Sequence, residues 1–267
     1  MLPSPLRAVS YLAPNLFWFY QAVIAYLERS LDIEICLVQA EYDPLADPAL
    51  LQDQLDIAFI CGLPFIRHYQ VAPAQLQAVV APVMQAERYQ NQPVYFADVI
   101  VNAASEVRTL EQLAGKTFCY NDLGSNSGYH LLWHRLFQKQ YSRAFFSQTV
   151  ASGSHECSIQ WVAKNKVDCA AIDSTVLEQA IRDIPDLSDQ LRIIESIGPC
   201  PMPPIAVAQR LGKPFLQKLQ ARLLDPNLDL QLHMHQAGIH RFAVMDSQAY
   251  QPIAQFYITH LRSHSGC

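Results

Sequence analysis

Lys116-Thr-Phe-Cys-Tyr-Asn-Asp-Leu-Gly-Ser-Asn-Ser-Gly-Tyr129 is the stretch whose reading decides the fold. Lys116–Asn121 has the apolar, β-branched and aromatic character of a strand. Ser127–Lys139 carries the apolar spacing of a helix. Between them lies Gly124-Ser-Asn-Ser-Gly128, a turn of small residues. A strand that runs through such a turn into a helix is half of an α/β unit. It also aims the unpaired N–H groups and the positive dipole end of the helix at one point, where an anion is stabilised. Ser125, Asn126 and Ser127 add side-chain donors there, and Gly128 lets the backbone come close. An ordinary N-cap would use the same residues, so the pentapeptide alone leaves both readings open. It is not a Walker A loop, because no Lys-Ser/Thr follows the glycine, and it is not a dinucleotide-binding fingerprint.

The pattern continues outward in both directions. Downstream, strand Gln148–Ala151 leads into helix His155–Asn165, and strand Val167–Ile172 into helix Thr175–Arg182. His155 falls at a helix start and Asp173 at a strand end. Open α/β sheets bind ligands beyond the carboxyl ends of their strands. Ser125–Ser127, His155 and Asp173 are therefore expected along one edge of one sheet. Upstream, strands Leu6–Leu12, Ile33–Gln39, Asp56–Cys61 and Leu76–Val83 alternate with helices Asn15–Arg29, Asp47–Leu55 (Asp47 as cap, Pro48 first) and one starting near Gly62. Such alternation argues for mainly parallel sheets. Tyr95–Asn102 is a further strand, Thr109–Leu113 a short helix and Leu191–Ser196 a strand. Gly198–Pro204 reads as a proline-rich crossing, followed by strand Ile205–Gln209, helix Pro214–Leu224 and a last helix near Ser247–Arg262. One α/β unit is thus inserted in another. The expected division is 1–96 with 201–267 for the first, and 97–200 for the second.

The chain has 267 residues, a net charge of −5, 51% hydrophobic and 16% charged residues. It is long enough for two modest cores, too apolar for disorder and too acidic for a basic nucleic-acid surface. Leu16–Leu27 is too short an apolar run to span a bilayer. Met1–Ser10 shows no secretory leader. The expected location is therefore outside the cytoplasm, periplasmic or membrane-anchored, if a leader was removed, and cytoplasmic if Met1 is the true start. Seven cysteines without a Cys-x-x-Cys spacing read as buried free thiols.

Over nearly its whole length the chain resembles the phosphonate, phosphite and phosphate-binding proteins of ABC importers, which are type II periplasmic solute-binding proteins. The resemblance lies in Tyr95-Phe-Ala-Asp-Val-Ile-Val101, Leu113-Ala-Gly-Lys-Thr117, Asn121-Asp-Leu-Gly-Ser-Asn-Ser-Gly-Tyr129, Gly153-Ser-His155, Val167-Asp-Cys-Ala-Ala-Ile-Asp173, Gly238, Arg241-Phe-Ala-Val244 and Tyr250. It is weaker from Tyr11 to Cys61-Gly-Leu-Pro-Phe65. It implies two α/β lobes, each a mixed sheet flanked by helices, with two hinge crossings and a ligand held in the cleft by closure. It also implies that Ser125, Asn126, Ser127, Gly128, His155 and Asp173 on one lobe, with Tyr95 near the hinge and Tyr11, Cys61 and Gly62 on the other, face a small phosphorus oxyanion. The implied partner is an ABC permease, with no cofactor, no metal, no nucleic acid and a monomeric state. Ala97 stands where relatives often carry Ser, and Cys61 where they carry a smaller residue.

Other constellations are weaker. His130 and His134 share a helix face at metal-ligand spacing without a third ligand. His233, His235 and His240 form a His-rich patch. Ser127, His155 and Asp173 could be written as a hydrolase triad, but no Gly-x-Ser-x-Gly elbow is present. The alternative readings are a cytoplasmic enzyme or a sensory module on the same two-lobed fold.

Overall fold

In the computed structural model, residues 5–254 are described. They divide after 94 and after 200 into two compact units, so Tyr95 and Phe96 belong to the second.

Along the chain the first unit begins with β1 (Leu6–Ser10), α1 (Phe17–Leu31), β2 (Ile35–Gln39), α2 (Pro48–Leu51), β3 (Ile57–Phe59), α3 (Gly62–Val71) and β4 (Leu76–Met84). The second unit holds β5 (Val94–Asn102), β6 (Thr117–Tyr120), α4 (Leu131–Gln138), β7 (Gln148–Ala151), α5 (His155–Ala163), β8 (Cys169–Asp173), α6 (Ser174–Asp183), α7 (Leu187–Gln190) and β9 (Leu191–Pro201). The chain then returns through β10 (Ile205–Ala208), α8 (Lys213–Leu224), α9 (Leu228–Gln236) and β11 (Ile239–Val244).

The first unit is a six-stranded sheet in the order β11-β4-β10-β3-β1-β2. β1 runs parallel to β2 and β3. β10 and β11 return antiparallel, so the sheet is mixed where strand–helix alternation alone predicts mostly parallel pairing. Its core is aromatic: Tyr20 lies 4.6 Å from Phe59, and Phe65 meets Tyr250 edge-on at 5.2 Å. α1 buries Phe19, Tyr20, Val23, Ile24 and Leu27, the spacing of a helical stripe. It ends where Asp32 turns left-handed. α2 is shorter than expected, because the chain turns at Asp53 with φ 55°.

The second unit is a five-stranded sheet in the order β7-β6-β8-β5-β9. β6 is parallel to β7 and β8, while β5 is antiparallel to β8. The carboxyl ends of β7, β6 and β8 therefore share one edge, and the start of β5 joins them there. β9 extends past the expected Ser196 through Pro199 and Pro201. It lies at the end of the sheet, where a missing N–H interrupts no ladder. Sequence reading also missed α7, α9 and β11. The expected last helix is a 3-10 turn over Ser247–Tyr250 followed by helical residues 251–254, and its remainder lies outside the described residues.

Candidate functional site

The loop after β6 does not enter an ordinary α-helix. His130 and Leu131 donate their N–H groups five residues back, to the carbonyls of Ser125 (3.1 Å) and Asn126. The turn Asn126–His130 is thus wider than an α-turn, a form that recurs at functional sites. Ser125 caps it, accepting from the Gly128 N–H at 3.0 Å. A Cβ at Gly128 would lie 1.8 Å from Asn121 Oδ1, so the glycine leaves room for the Asn121 side chain against the wide turn.

The next two residues point into the protein. Asn126 is buried and donates from Nδ2 to the Tyr95 hydroxyl at 2.6 Å. Ser127 is buried, with Oγ 3.2 Å from His155 Nε2. His155 opens α5 behind its cap Ser154 and is only 8% exposed. Its Nδ1 is buried and has no hydrogen-bond partner among the described residues. Burial lowers the ring's pKa to about 4, so it is neutral at physiological pH.

Asp173 ends β8 and caps α6, its Oδ1 accepting from the Thr175 N–H (2.9 Å) and hydroxyl (2.8 Å). It is 7% exposed. Burial raises its pKa to about 6 against the lowering effect of Thr175, and the Asp98 carboxylate adds to the rise. Cys200, near the end of β9, links these groups. Burial pushes its thiol up to about 12, the Asp173 charge adds to this, and the Asn126 amide acts on it in the opposite sense. Sequence reading treated Cys200 as a core thiol and did not single out Asp98. Neither lies in a turn, at a helix start or at an expected strand end, the signals that located Ser125–Ser127, His155 and Asp173.

In the first unit, Tyr11 follows β1 and Cys61-Gly62 follows β3, and the Tyr11 N–H donates to the Phe59 carbonyl at 2.9 Å. The three residues thus stand at neighbouring strand ends. The Tyr11 hydroxyl donates to Asp47 Oδ2 at 2.5 Å, and burial together with this carboxylate raises its pKa strongly. Cys61 precedes the first turn of α3 without a side-chain capping bond. A Cβ at Gly62 would meet Ile253 Cδ1 at 2.9 Å and Tyr250 Cδ1 at 3.0 Å, so core packing already requires glycine there.

Chemically, the second-unit cluster offers neutral hydrogen-bonding groups and one carboxylate with a raised pKa. The Ser127–His155 contact is within reach of a nucleophile–base pair. A hydrolytic triad would need a carboxylate on His155 Nδ1, and that atom has no partner among the described residues. Asp173 instead spends Oδ1 on Thr175. The described residues contain no group of three or more His, Cys, Asp or Glu placed to hold a metal ion.

A family model described as the periplasmic substrate-binding protein of phosphonate ABC transporters matches residues 10–250. The chain belongs to that family. It is therefore the substrate-binding component of an ABC importer, a class that binds and delivers solutes rather than transforming them and that works outside the cytoplasm. Solved structures agree on the fold. The binding-protein component of an ABC phosphonate transporter from Pseudomonas aeruginosa aligns with a TM-score of 0.83 at 20% identity, covering 98% of this chain and 88% of that one. PhnD1 from Prochlorococcus marinus, in complex with methylphosphonate, gives 0.81 at 18% identity over 96% and 97%. A Xanthomonas citri protein bound to ATP gives 0.74 at 14% identity over 98% and 99%. Among curated proteins none matches the chain.

Proposed function

We propose that this binding component takes a small phosphorus oxyanion (phosphonate, phosphite or phosphate) and hands it to the permease as a periplasmic monomer, without cofactor, metal or nucleic acid. The observation that carries the reading is the second-unit cluster. Asn126, Ser127 and His155 are each buried, and His155 Nδ1 is a desolvated polar atom without a partner among the described residues. Such an atom carries a free-energy cost that a ligand oxygen would remove. Neutral donors can hold an oxyanion without an arginine, because hydrogen bonds to a charged acceptor are the strong ones. Gly128 and the caps Ser125 and Ser154 shape the turns that present them. Tyr11, Cys61 and Gly62 of the first unit are part of the same proposal, through the family resemblance.

Asp173 gives the reading its selectivity. A carboxylate beside an anion repels it, unless the ligand carries a proton or an ammonium group for the carboxylate to accept. Monoprotonated phosphonates and aminoalkylphosphonates offer this, and sulfate at neutral pH does not.

The test is thermal unfolding of the purified protein with phosphate, phosphite, methyl-, ethyl- and aminoethylphosphonate, sulfate and thiosulfate. Ligand at 100 times its Kd adds about 2.7 kcal/mol, a shift of several degrees at this size. A rise with a phosphorus oxyanion and none with sulfate supports the reading. No rise with any phosphorus compound, after refolding to strip carried ligand, reduces the Ser-Asn-Ser turn to a helix cap and overturns it.

A further inference from the structure

One hydroxyl ties the start of α5 to the strand end from which the Gly124–Gly128 turn departs. Ser152 is half-buried and follows β7, just ahead of the cap Ser154 and of His155. Its Oγ lies 3.1 Å from the Tyr120 carbonyl at the end of β6, 3.0 Å from the Ser154 carbonyl and 2.6 Å from the Ser158 hydroxyl. Ser158 is buried at the end of the first turn of α5. Carbonyls only accept. The arrangement that satisfies the most groups therefore has Ser158 donate to Ser152 and Ser152 donate to a carbonyl. The backbone runs the same way: the Ser152 N–H donates to the Tyr120 carbonyl at 2.8 Å, and the Gly153 N–H to the Asn121 carbonyl at 3.1 Å. A serine that served only its own loop would bond within a few residues. This one also reaches 32 residues back along the chain.

The far end of α5 is held as well. Asn102 of β5 is buried and donates from Nδ2 to the carbonyls of Val162 (3.3 Å) and Ala163 (2.9 Å). With its carboxyl end tied down, the helix keeps most of its freedom at the first turn, where His155 Nε2 stands 3.2 Å from Ser127 Oγ. We propose that Ser152 is the positioning residue of this cluster: its hydroxyl clasps the start of α5 to the end of β6 and so sets the His155 ring against Ser127. The inference rests on the reading of the site given above. Ser152 acts through the ring and needs no contact with the ligand. Without its hydroxyl, the buried Ser158 Oγ loses this partner and the first turn of α5 loses its side-chain tie to β6, while the two backbone bonds remain.

Two readouts test this on the intact chain. Methylphosphonate binding is measured by titration calorimetry well below the unfolding temperature, so that lost stability does not enter. Ser152→Ala should weaken it about threefold to tenfold, the worth of one hydrogen bond. Ser152→Thr keeps the hydroxyl and should restore it. In a His155→Gln background, Ser152→Ala should cost nothing further, because the group it positions is gone. Ring-nitrogen NMR of the ligand-free protein supplies the second readout: the His155 Nε2 resonance should shift in Ser152→Ala and return in Ser152→Thr. A Ser152 that only stabilises its loop would lower the unfolding temperature and leave binding and the Nε2 resonance in place, which overturns the inference. An equal loss of binding with and without His155 overturns it too. Wild-type protein that binds no phosphorus oxyanion overturns the reading of the site itself, and the Nε2 resonance then still decides whether Ser152 places the ring.

Discussion

The Ser127 hydroxyl oxygen and His155 Nε2 stand 3.2 Å apart, while the other nitrogen of the same ring is buried without a partner among the described residues. The two facts together set the ring's state. When Ser127 donates to Nε2, the hydrogen of the neutral imidazole resides on Nδ1, which then becomes a donor for a ligand oxygen. Burial keeps the ring neutral down to about pH 4, so in the proposed site it would meet an anion as a hydrogen-bond donor and not as a cation. Ring-nitrogen NMR should show no protonation of His155 between pH 5 and 8 in the ligand-free protein. A midpoint near the ordinary histidine value would refute this. His155→Gln should weaken methylphosphonate binding roughly tenfold or more, the cost of losing one buried, charge-assisted bond.

Tyr95 holds one of the proposed ligand-binding side chains, Asn126. Its hydroxyl accepts from Asn126 Nδ2 at 2.6 Å, and both residues are buried. Tyr95→Phe leaves the ring packing and frees the amide to swivel. It should cost about 1–3 kcal/mol of stability, read by urea unfolding, and weaken oxyanion binding. The loss of binding should be partly restored when Asn126 is also changed to Ala, since the misplaced amide is then gone. Independent, additive losses would argue against a positioning role.

Gly128 makes a third case. An alanine Cβ there would fall 1.8 Å from Asn121 Oδ1 and 3.0 Å from Ser125 Oγ. Gly128→Ala should therefore destabilise the protein by about 1–3 kcal/mol and weaken oxyanion binding, because the Asn121 side chain or the turn that carries Asn126 and Ser127 must move. Adding Asn121→Ala removes the nearest obstacle. The double variant should be more stable than Gly128→Ala alone, and thermal unfolding of the four proteins of the cycle checks it.

What was legible in the sequence was the placement of elements by local signals. The strand–turn–helix at Gly124–Gly128, the cap before His155 and the strand ending at Asp173 are each written within a few residues. Because β7, β6 and β8 run parallel, their ends share one edge without further information. What the sequence did not reveal depends on neighbours across the sheet. Asp98 looks like one polar residue in an apolar strand until β9 is placed beside it and the Ser196 hydroxyl reaches its Oδ1. Cys200 lies in a proline-rich stretch that reads as a linker, yet continues β9 at the sheet end. The wide turn at Asn126–His130 differs from an α-turn only in which carbonyl each N–H reaches, and composition carries no sign of that. Helix α9 was missed because Leu228 and Leu232 are exposed and only Leu230 and Met234 are buried, so its apolar pattern does not show one clean stripe.

The last prediction concerns pH. His155 has a folded-state pKa near 4, below its unfolded value of 6.5, so its contribution to stability is complete above pH 6.5 and is lost as pH falls toward 4. Asp173 has a folded-state pKa near 6, above its unfolded value of 3.8, so its contribution is complete below pH 3.8 and is lost as pH rises through 6. The two act in opposite senses over the same window, and each shift corresponds to about 3 kcal/mol. In wild-type protein they largely cancel. Burial also lowers the pKa of His68 and His134, which adds a general loss of stability in acid, so the comparison must be made against wild type at each pH. Relative to wild type, Asp173→Asn should become less stable as pH falls from 6.5 to 4, because the His155 penalty is then unopposed. His155→Gln should become more stable over the same range, because only the proton-binding carboxyl remains. Urea unfolding at half-unit steps of pH reads both slopes. Differences of opposite sign are expected, and two variants that merely ran parallel to wild type would show that neither group changes its proton affinity on folding. In the proposed site the same pair would set how binding depends on pH. Between pH 7 and 5 the ring stays neutral while Asp173 takes up its proton, so the empty site loses a negative charge and a monoanionic ligand should bind more tightly at the lower pH.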